Sequence, residues 1–258
     1  MLLNEKVAVI HGGAGAIGGA VARAFAQHGA HVFLTGRTLA TVEAVAAEIT
    51  AAGGHATAGT VDVLQPEALR HHLDGIVART GRLDISFNAT GFEDVQGSPL
   101  TEMTLADVTR PVELAVASHF NTATAAARHM TLAGSGVILG ITAYGPSANH
   151  GGFGLACAAT ERFCQQLALE VGPAGVRVVC LRSAGSPDAP GLDEVLDQHA
   201  RKAGLSREEF EARMSRGLAL RRLPKLAEIG NAAVLAASDL ASAVTAAILD
   251  VTCGSLSA

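Results

Sequence analysis

The sequence predicts an α/β fold: a doubly wound parallel sheet flanked by helices, in a single domain covering residues 1–258. Three observations predict it. Short apolar runs alternate strictly with helical segments along the chain. The first apolar run leads into a glycine-rich turn that opens a helix. The 258 residues, 49% of them hydrophobic, suffice for one large core, and no linker-like stretch divides them.

"KVAVIHGG" ends in glycines, as a buried parallel strand does, and "AIGGAVARAFAQHG" follows with helical periodicity up to Gly29. "HVFLTGR" is a second strand, "TLATVEAVAAEITAAGG" a helix, "HATAGTVDV" a third strand, "PEALRHHLDGIVARTG" a helix and "LDISFNATG" a fourth strand. Such alternation builds right-handed βαβ units. A long helix is predicted from Thr104 to Ala133, a strand at "SGVILGIT", a helix from Ala156 to Val171 and a strand at "GVRVVCLRS". Residues 186–224 are polar and charged, with a helical stretch at "SREEFEARMSRGLAL", and read as an inserted lid over a substrate pocket. "LAEIGNAAVLAASD" and "AILDVTCG" supply the last helix and strand.

Composition narrows the function. The net charge is −5 with no basic block, which argues against nucleic acid as a partner. No apolar run is long enough for a membrane span, and the N-terminus lacks a cleavage-site pattern. Cys157, Cys164, Cys180 and Cys253 form no CxxC pair, which fits a reducing, cytoplasmic setting. The ten histidines show no metal-ligand spacing, so no metal site is expected, and His28, His31, His71 and His72 are expected on helix or loop surfaces.

"VIHGGAGAIGGAVARAF" places glycines between a strand and a helix, where small residues let backbone approach a pyrophosphate and a helix N-terminus offers free N–H groups. Gly12, Gly13, Gly15, Ala16, Ile17 and Gly18 are therefore candidate cofactor residues. After the second strand, an NAD site usually carries a carboxylate for the ribose 2′-hydroxyl. This chain has Gly36 and Arg37, which favours NADP, although a surface arginine is the alternative. Asp62 and Val63 end the third strand near an adenine, and Asn88 and Gly91 end the fourth near the adenosine ribose.

These motifs resemble the short-chain dehydrogenase/reductase family. "HGGAGAIG" is similar to the family's TGxxxGxG, with His11 for threonine and Ala16 for the middle glycine, and "NATG" is similar to NNAG. "ILDVTCG" is similar to the closing strand, while the Pro-Gly turn expected after "GVRVVCLRSAG" is absent. The resemblance implies a Rossmann-like fold, an NAD or NADP cofactor, a small-molecule substrate and a homodimer or homotetramer. It also implies an Asn-Ser-Tyr-Lys set, and here the chain departs. The helix ending in "LALEV" sets the register. The serine position falls on Thr142, the tyrosine position on Phe153, the lysine position on Cys157 and the asparagine position on Ala115. The three lysines, Lys6, Lys202 and Lys225, lie elsewhere in the sequence, and the one tyrosine, Tyr144, has Ala148 four residues on.

A phenyl ring cannot donate a proton, and a thiol is neutral unless its surroundings activate it. General acid catalysis supplies about 10²–10⁴ in rate and an oxyanion donor about 10²–10³, so ordinary carbonyl reduction is expected to be close to undetectable. Tyr144 or His150, with Thr142, is the candidate relocated proton donor. The alternative is that Tyr144 packs at the pocket rim and His150, after Asn149, is a solvated loop residue. Three readings stay open: an NADP(H)-dependent oxidoreductase with a rearranged site, a cofactor-binding pseudoenzyme, and a non-redox isomerase, cyclase or lyase reusing the pocket.

Overall fold

The structure, a computed structural model, describes residues 1–143, 149–190, 196–197, 200–201 and 203–255. Strand and helix alternate as β1 (Val7–His11), α1 (Ala16–Gln27), β2 (His31–Gly36), α2 (Leu39–Ala51), β3 (His55–Thr60), α3 (Pro66–Thr80), β4 (Ile85–Asn88), α4 (Leu105–Ala133), β5 (Gly136–Ala143), α5 (Gly152–Val171), β6 (Val176–Ser183), α6 (Arg207–Arg216), α7 (Leu226–Ala237) and β7 (Ala247–Val251). The strands form one parallel sheet in the order β3-β2-β1-β4-β5-β6-β7. The predicted doubly wound fold is what the chain adopts.

Successive strand residues point to opposite faces, and the apolar content of the strands fills both. Ala8 and Ile10 of β1 join the core under α1, α2 and α7, around Phe25, Leu34 and Ile49. Val7 and Val9 join the core under α3, α4 and α5, around Leu69, Met130 and Leu167. The order reverses direction between β1 and β4, and such a switch opens a crevice beyond the carboxyl ends of the strands. The register sets His11 against Thr35 and Asn88, and Asn88 against Gly140, in one row at that edge.

α5 starts at Gly152, four residues before the predicted Ala156. "NHGGFG" reads as a loop because its glycines carry no apolar periodicity, yet those glycines are what the packing requires. Gly151 has φ +53°, and a β-carbon there would sit 2.4 Å from the Val95 carbonyl oxygen. One at Gly152 would sit 2.3 Å from the Val108 carbonyl oxygen. The first turn of α5 is thereby pressed against the segment after β4 and the start of α4. Two histidines also differ from expectation. His72 is half-buried, its ring lying over Gly59, where a β-carbon would be 2.6 Å away. His31 lies in β2, bonded to Thr57 Oγ1 at 3.0 Å and stacked on Phe33.

Of the segment 186–224, α6 starts with a Ser206–Glu209 capping box. Beyond it, Ala219 and Leu220 N–H donate to the carbonyls of Gly254 and Cys253. Residues 191–195, 198–199 and 202 lie outside the described residues. Among the described residues, no helix is long and apolar enough to cross a membrane.

Candidate active site and nucleotide groove

A groove of about 610 Å³ lies at the switch point, and Gly12, Gly15, Arg37, Asp62, Val63 and Gly91 all line it. Its floor is backbone. Gly12 has φ +74°, and a β-carbon there would meet the Ala89 carbonyl oxygen at 2.7 Å. The N–H groups of Gly12 and Gly13 both donate to the Thr35 carbonyl, and Gly15 N–H donates to the Gly12 carbonyl. Gly13 is buried against Leu34, and at Gly18 a β-carbon would fall 2.2 Å from the Gly12 oxygen. Ala16 and Ile17 form the first turn of α1, which has neither a side-chain cap nor an acidic residue. Its first N–H groups and the positive end of the helix dipole are left for an anion.

Arg37 is exposed at the groove edge, followed by Thr38 and Thr41. Asp62 accepts from Leu64 N–H at 3.0 Å. Asn88 supports the wall from behind. Its amide donates to Ser118 and Thr122 hydroxyls and accepts from Thr90 N–H, which holds β4 to α4. Sequence reading missed the far wall, where Arg110, Leu114 and Ser118 line the groove from α4. Their spacing of four residues on one helix face was the available signal.

Behind the glycine turn lies a set of buried histidines. His11 Nδ1 is 3.0 Å from Thr35 Oγ1. Burial first, then His72 and His119, lower its pKa to about 3. His119 Nδ1 pairs with the Ala115 carbonyl at 2.9 Å, and burial lowers its pKa too. Ala115 itself is buried. All these rings are neutral at pH 7.

The residues matched to the catalytic set lie around the start of α5. Phe153 places its ring 5.8 Å from Phe92 and 6.0 Å from His150, the latter edge-on. Cys157 is buried, and Ala143 N–H donates to its Sγ at 3.4 Å. Burial pushes the Cys157 thiol up to about 11; the Ala143 bond opposes this, and Glu161 adds to it. Cys157 is therefore a neutral thiol. Thr142 Oγ1 donates to Glu161 Oε1 at 2.9 Å, and Glu161 is gripped by Arg182 through Nε at 2.8 Å and Nη2 at 2.6 Å. Phe153, Cys157 and Glu161 recur every four residues on α5, so the thiol stands one turn from the carboxylate that Arg182 holds. Sequence reading missed the Glu161–Arg182 pair. Tyr144 lies outside the described residues, and Asn149 is exposed with φ +64°. None of Thr142, His150, Phe153 and Cys157 is among the described residues lining the groove.

Residues 12–255 match the family model described as enoyl-(acyl carrier protein) reductase. The chain is 34% identical to an uncharacterized oxidoreductase of Mycobacterium tuberculosis, over 96% of this chain and 91% of that one. It is 31% identical to 7alpha-hydroxysteroid dehydrogenase of Escherichia coli K12, over 98% and 94%. The chain belongs to the short-chain dehydrogenase/reductase family. A solved 7alpha-hydroxysteroid dehydrogenase in complex with NADH and 7-oxo glycochenodeoxycholic acid superposes with a TM-score of 0.86 at 29% identity, covering 99% of this chain and 96% of that one. A solved NAD⁺-bound xylitol dehydrogenase superposes with a TM-score of 0.89 over 98% of this chain and all of that one, and at 23% identity that likeness concerns the fold. The residues of the groove fit the adenosine and phosphate portion of a nicotinamide dinucleotide, with glycine backbone for close approach and an uncapped α1 N-terminus.

Proposed function

We propose that the protein is an NADP(H)-binding member of the family in which the tyrosine–lysine route to carbonyl reduction does not operate. The observation that carries this reading is the contrast in preservation: the glycine cradle and Arg37 line an open groove, while a neutral Cys157 and an apolar Phe153 stand where the proton donor and the cation belong. Bound NADP(H) supplies a hydride donor or acceptor at its nicotinamide ring. On the protein side, the Gly12–Gly15 turn and the α1 N-terminus would receive the pyrophosphate. Arg37 with Thr38 would pair with the 2′-phosphate, and Asp62 would accept from the adenine amino group.

Titration with NADPH and NADH, followed by a screen of hydride acceptors, tests the reading. Binding with NADPH preferred and no oxidation by ketones is the expected result. Turnover of simple ketones at rates ordinary for the family would overturn it. A second reading is supported by the dehydrogenase relatives: an oxidoreductase acting on a small organic molecule that needs no enzyme-supplied proton, such as an iminium or an activated alkene. Where the acceptor does need a proton, Tyr144 or His150, with Thr142, is the candidate donor, and unchanged turnover in Tyr144→Phe and His150→Ala would remove that assignment.

The 186–224 segment serves as the pocket's lid in either reading. A homodimer or homotetramer is supported by exposed Phe120 on α4 and by exposed Leu155 and Leu169 on α5. Light scattering reads that directly. A cytoplasmic site is supported by four cysteines that form no disulfide.

A further inference from the structure

A cavity of about 10 Å³ lies inside the molecule, where β4 and β5 meet α4 and α5. It shares no described lining residue with the nucleotide groove. Gly140 creates the space. The register sets Gly140 between Asn88 and Cys180 in a row across the sheet. A β-carbon on Gly140 would lie 3.1 Å from Cys164 Sγ and 3.6 Å from His119 Nε2, so the thiol and the imidazole face one point from two helices. Ser86, two residues before Asn88 and therefore on the same face of β4, lines the space as well. Gly140 does not have a positive φ, so its role is the volume it leaves and not a backbone conformation.

The protons around this space can be assigned one by one. The Ala115 carbonyl can only accept, so His119 Nδ1 carries the ring proton and donates to it at 2.9 Å. Burial keeps the ring neutral, which leaves Nε2 as a bare lone pair. That nitrogen is buried, and among the described residues no donor reaches it. The neighbouring donors are spent: Asn88 gives its amide protons to the Ser118 and Thr122 hydroxyls, and Thr122 donates to the Ser118 carbonyl. A buried acceptor without a donor is costly. A space of roughly 10–15 Å³ holds one water when two to four polar groups can bind it, and His119, Ser86 and Cys164 supply them here.

We infer that this cavity is a binding site for a single ordered water, which donates to His119 Nε2 and is held in turn by Ser86 and Cys164. The site selects an uncharged donor of that size, because its one strong group is a lone pair set among Ile138, Leu139 and Val178. The water joins α4 to β4 and α5 through polar contacts in the layer where the rest of the core is apolar. The inference stands apart from the nucleotide reading and does not depend on it.

Oxygen-17 relaxation dispersion on the full chain counts long-lived internal waters, and nitrogen-15 correlation spectra read the imidazole tautomers. In the unmodified protein His119 should be the Nδ1–H tautomer, with water protons cross-relaxing with its ring. An Nε2–H tautomer would overturn the inference without any variant. Gly140→Ala places a methyl group in the space and should remove one long-lived water. His119→Leu removes the acceptor and keeps apolar volume, and it should lose the same water. A count unchanged from the unmodified protein in either folded variant would show that the cavity is dry and would overturn the inference.

Discussion

The two ends of the crevice are built from different materials. At the glycine-turn end the floor is backbone: Gly12 and Gly18 fit only because they lack a β-carbon, and the N–H groups aim where the helix and turn place them. At the α5 end the surface is made of side chains, among them Phe153 and Cys157. Backbone architecture is coupled to the whole sheet, since the turn borrows the Thr35 carbonyl from β2 and crowds Ala89 after β4. A side chain at the start of a helix can change without disturbing any of that. The glycine turn and the side chains at the start of α5 can therefore change independently.

The largest effect is expected where the comparison is broken at its backbone end. Gly18→Ala would drive a methyl group to 2.2 Å from the Gly12 oxygen, and Gly12→Ala would combine a left-handed φ of +74° with a clash against Ala89. Each should cost on the order of 2–4 kcal/mol in stability and reduce nucleotide affinity below detection. Urea unfolding and calorimetry measure the two losses. Wild-type affinity in a folded Gly18→Ala protein would show that the turn is not the phosphate seat.

Acid comes next, because it acts directly behind the same turn. His11 and His119 have pKa values lowered chiefly by burial, and His72 is lowered as well. For such groups the folded state stays neutral while the unfolded state takes up a proton below pH 6.5. Stability is therefore full above that pH and falls as pH drops toward the folded pKa, which for His11 is about 3. Each fully buried histidine contributes a slope of about 1.4 kcal/mol per pH unit in that window. Urea midpoints at pH 7 and pH 5 should differ accordingly, and His11→Thr should flatten the dependence. An equal slope in that variant would mean that other groups govern the acid response.

How much of this was legible from sequence follows the same division. The strands, the glycine turn and the groove residues Arg37, Asp62, Val63 and Gly91 were readable, because apolar alternation and glycine punctuation are local signals. Gly152 as the start of α5 was not readable, since its reason is the Val108 carbonyl of another helix. Arg110 and Leu114 sit on a helix face whose neighbour only the fold supplies. The Glu161–Arg182 pair joins α5 to β6, a contact that no spacing along the chain encodes.

A smaller and more selective effect is expected at Arg37. It is exposed at the end of β2, beside Thr38 and Thr41. Removing one charge-assisted phosphate contact typically costs about 1.5–3 kcal/mol at best and less when solvent competes. Arg37→Ala should therefore weaken 2′,5′-ADP and NADPH by about tenfold and leave ADP and NADH unchanged. Equal weakening of all four would mean that Arg37 supports the loop and not the 2′-phosphate.

The smallest effect is expected from Thr142→Val, and it sharpens the contrast most. The Thr142 hydroxyl donates to Glu161 and also lies 3.7 Å from Cys180 Sγ and 3.4 Å from the Leu181 carbonyl, so the substitution removes the Glu161 bond and these longer contacts, while the carboxylate keeps its two Arg182 bonds. Because Glu161 keeps its charge partner, the loss should be near 1 kcal/mol, at the low end for a bond to an ion. Nucleotide affinity should not move, since Thr142 is not among the described residues lining the groove. Val fills nearly the same volume, so packing contributes little to the difference. A variant of nearly native stability that lost turnover with any hydride acceptor would show that the hydroxyl reaches substrate. A modest drop in the urea midpoint, with binding untouched, would show that this hydroxyl belongs to the seam between β5, α5 and β6, leaving the α5 end without a proton donor at that position.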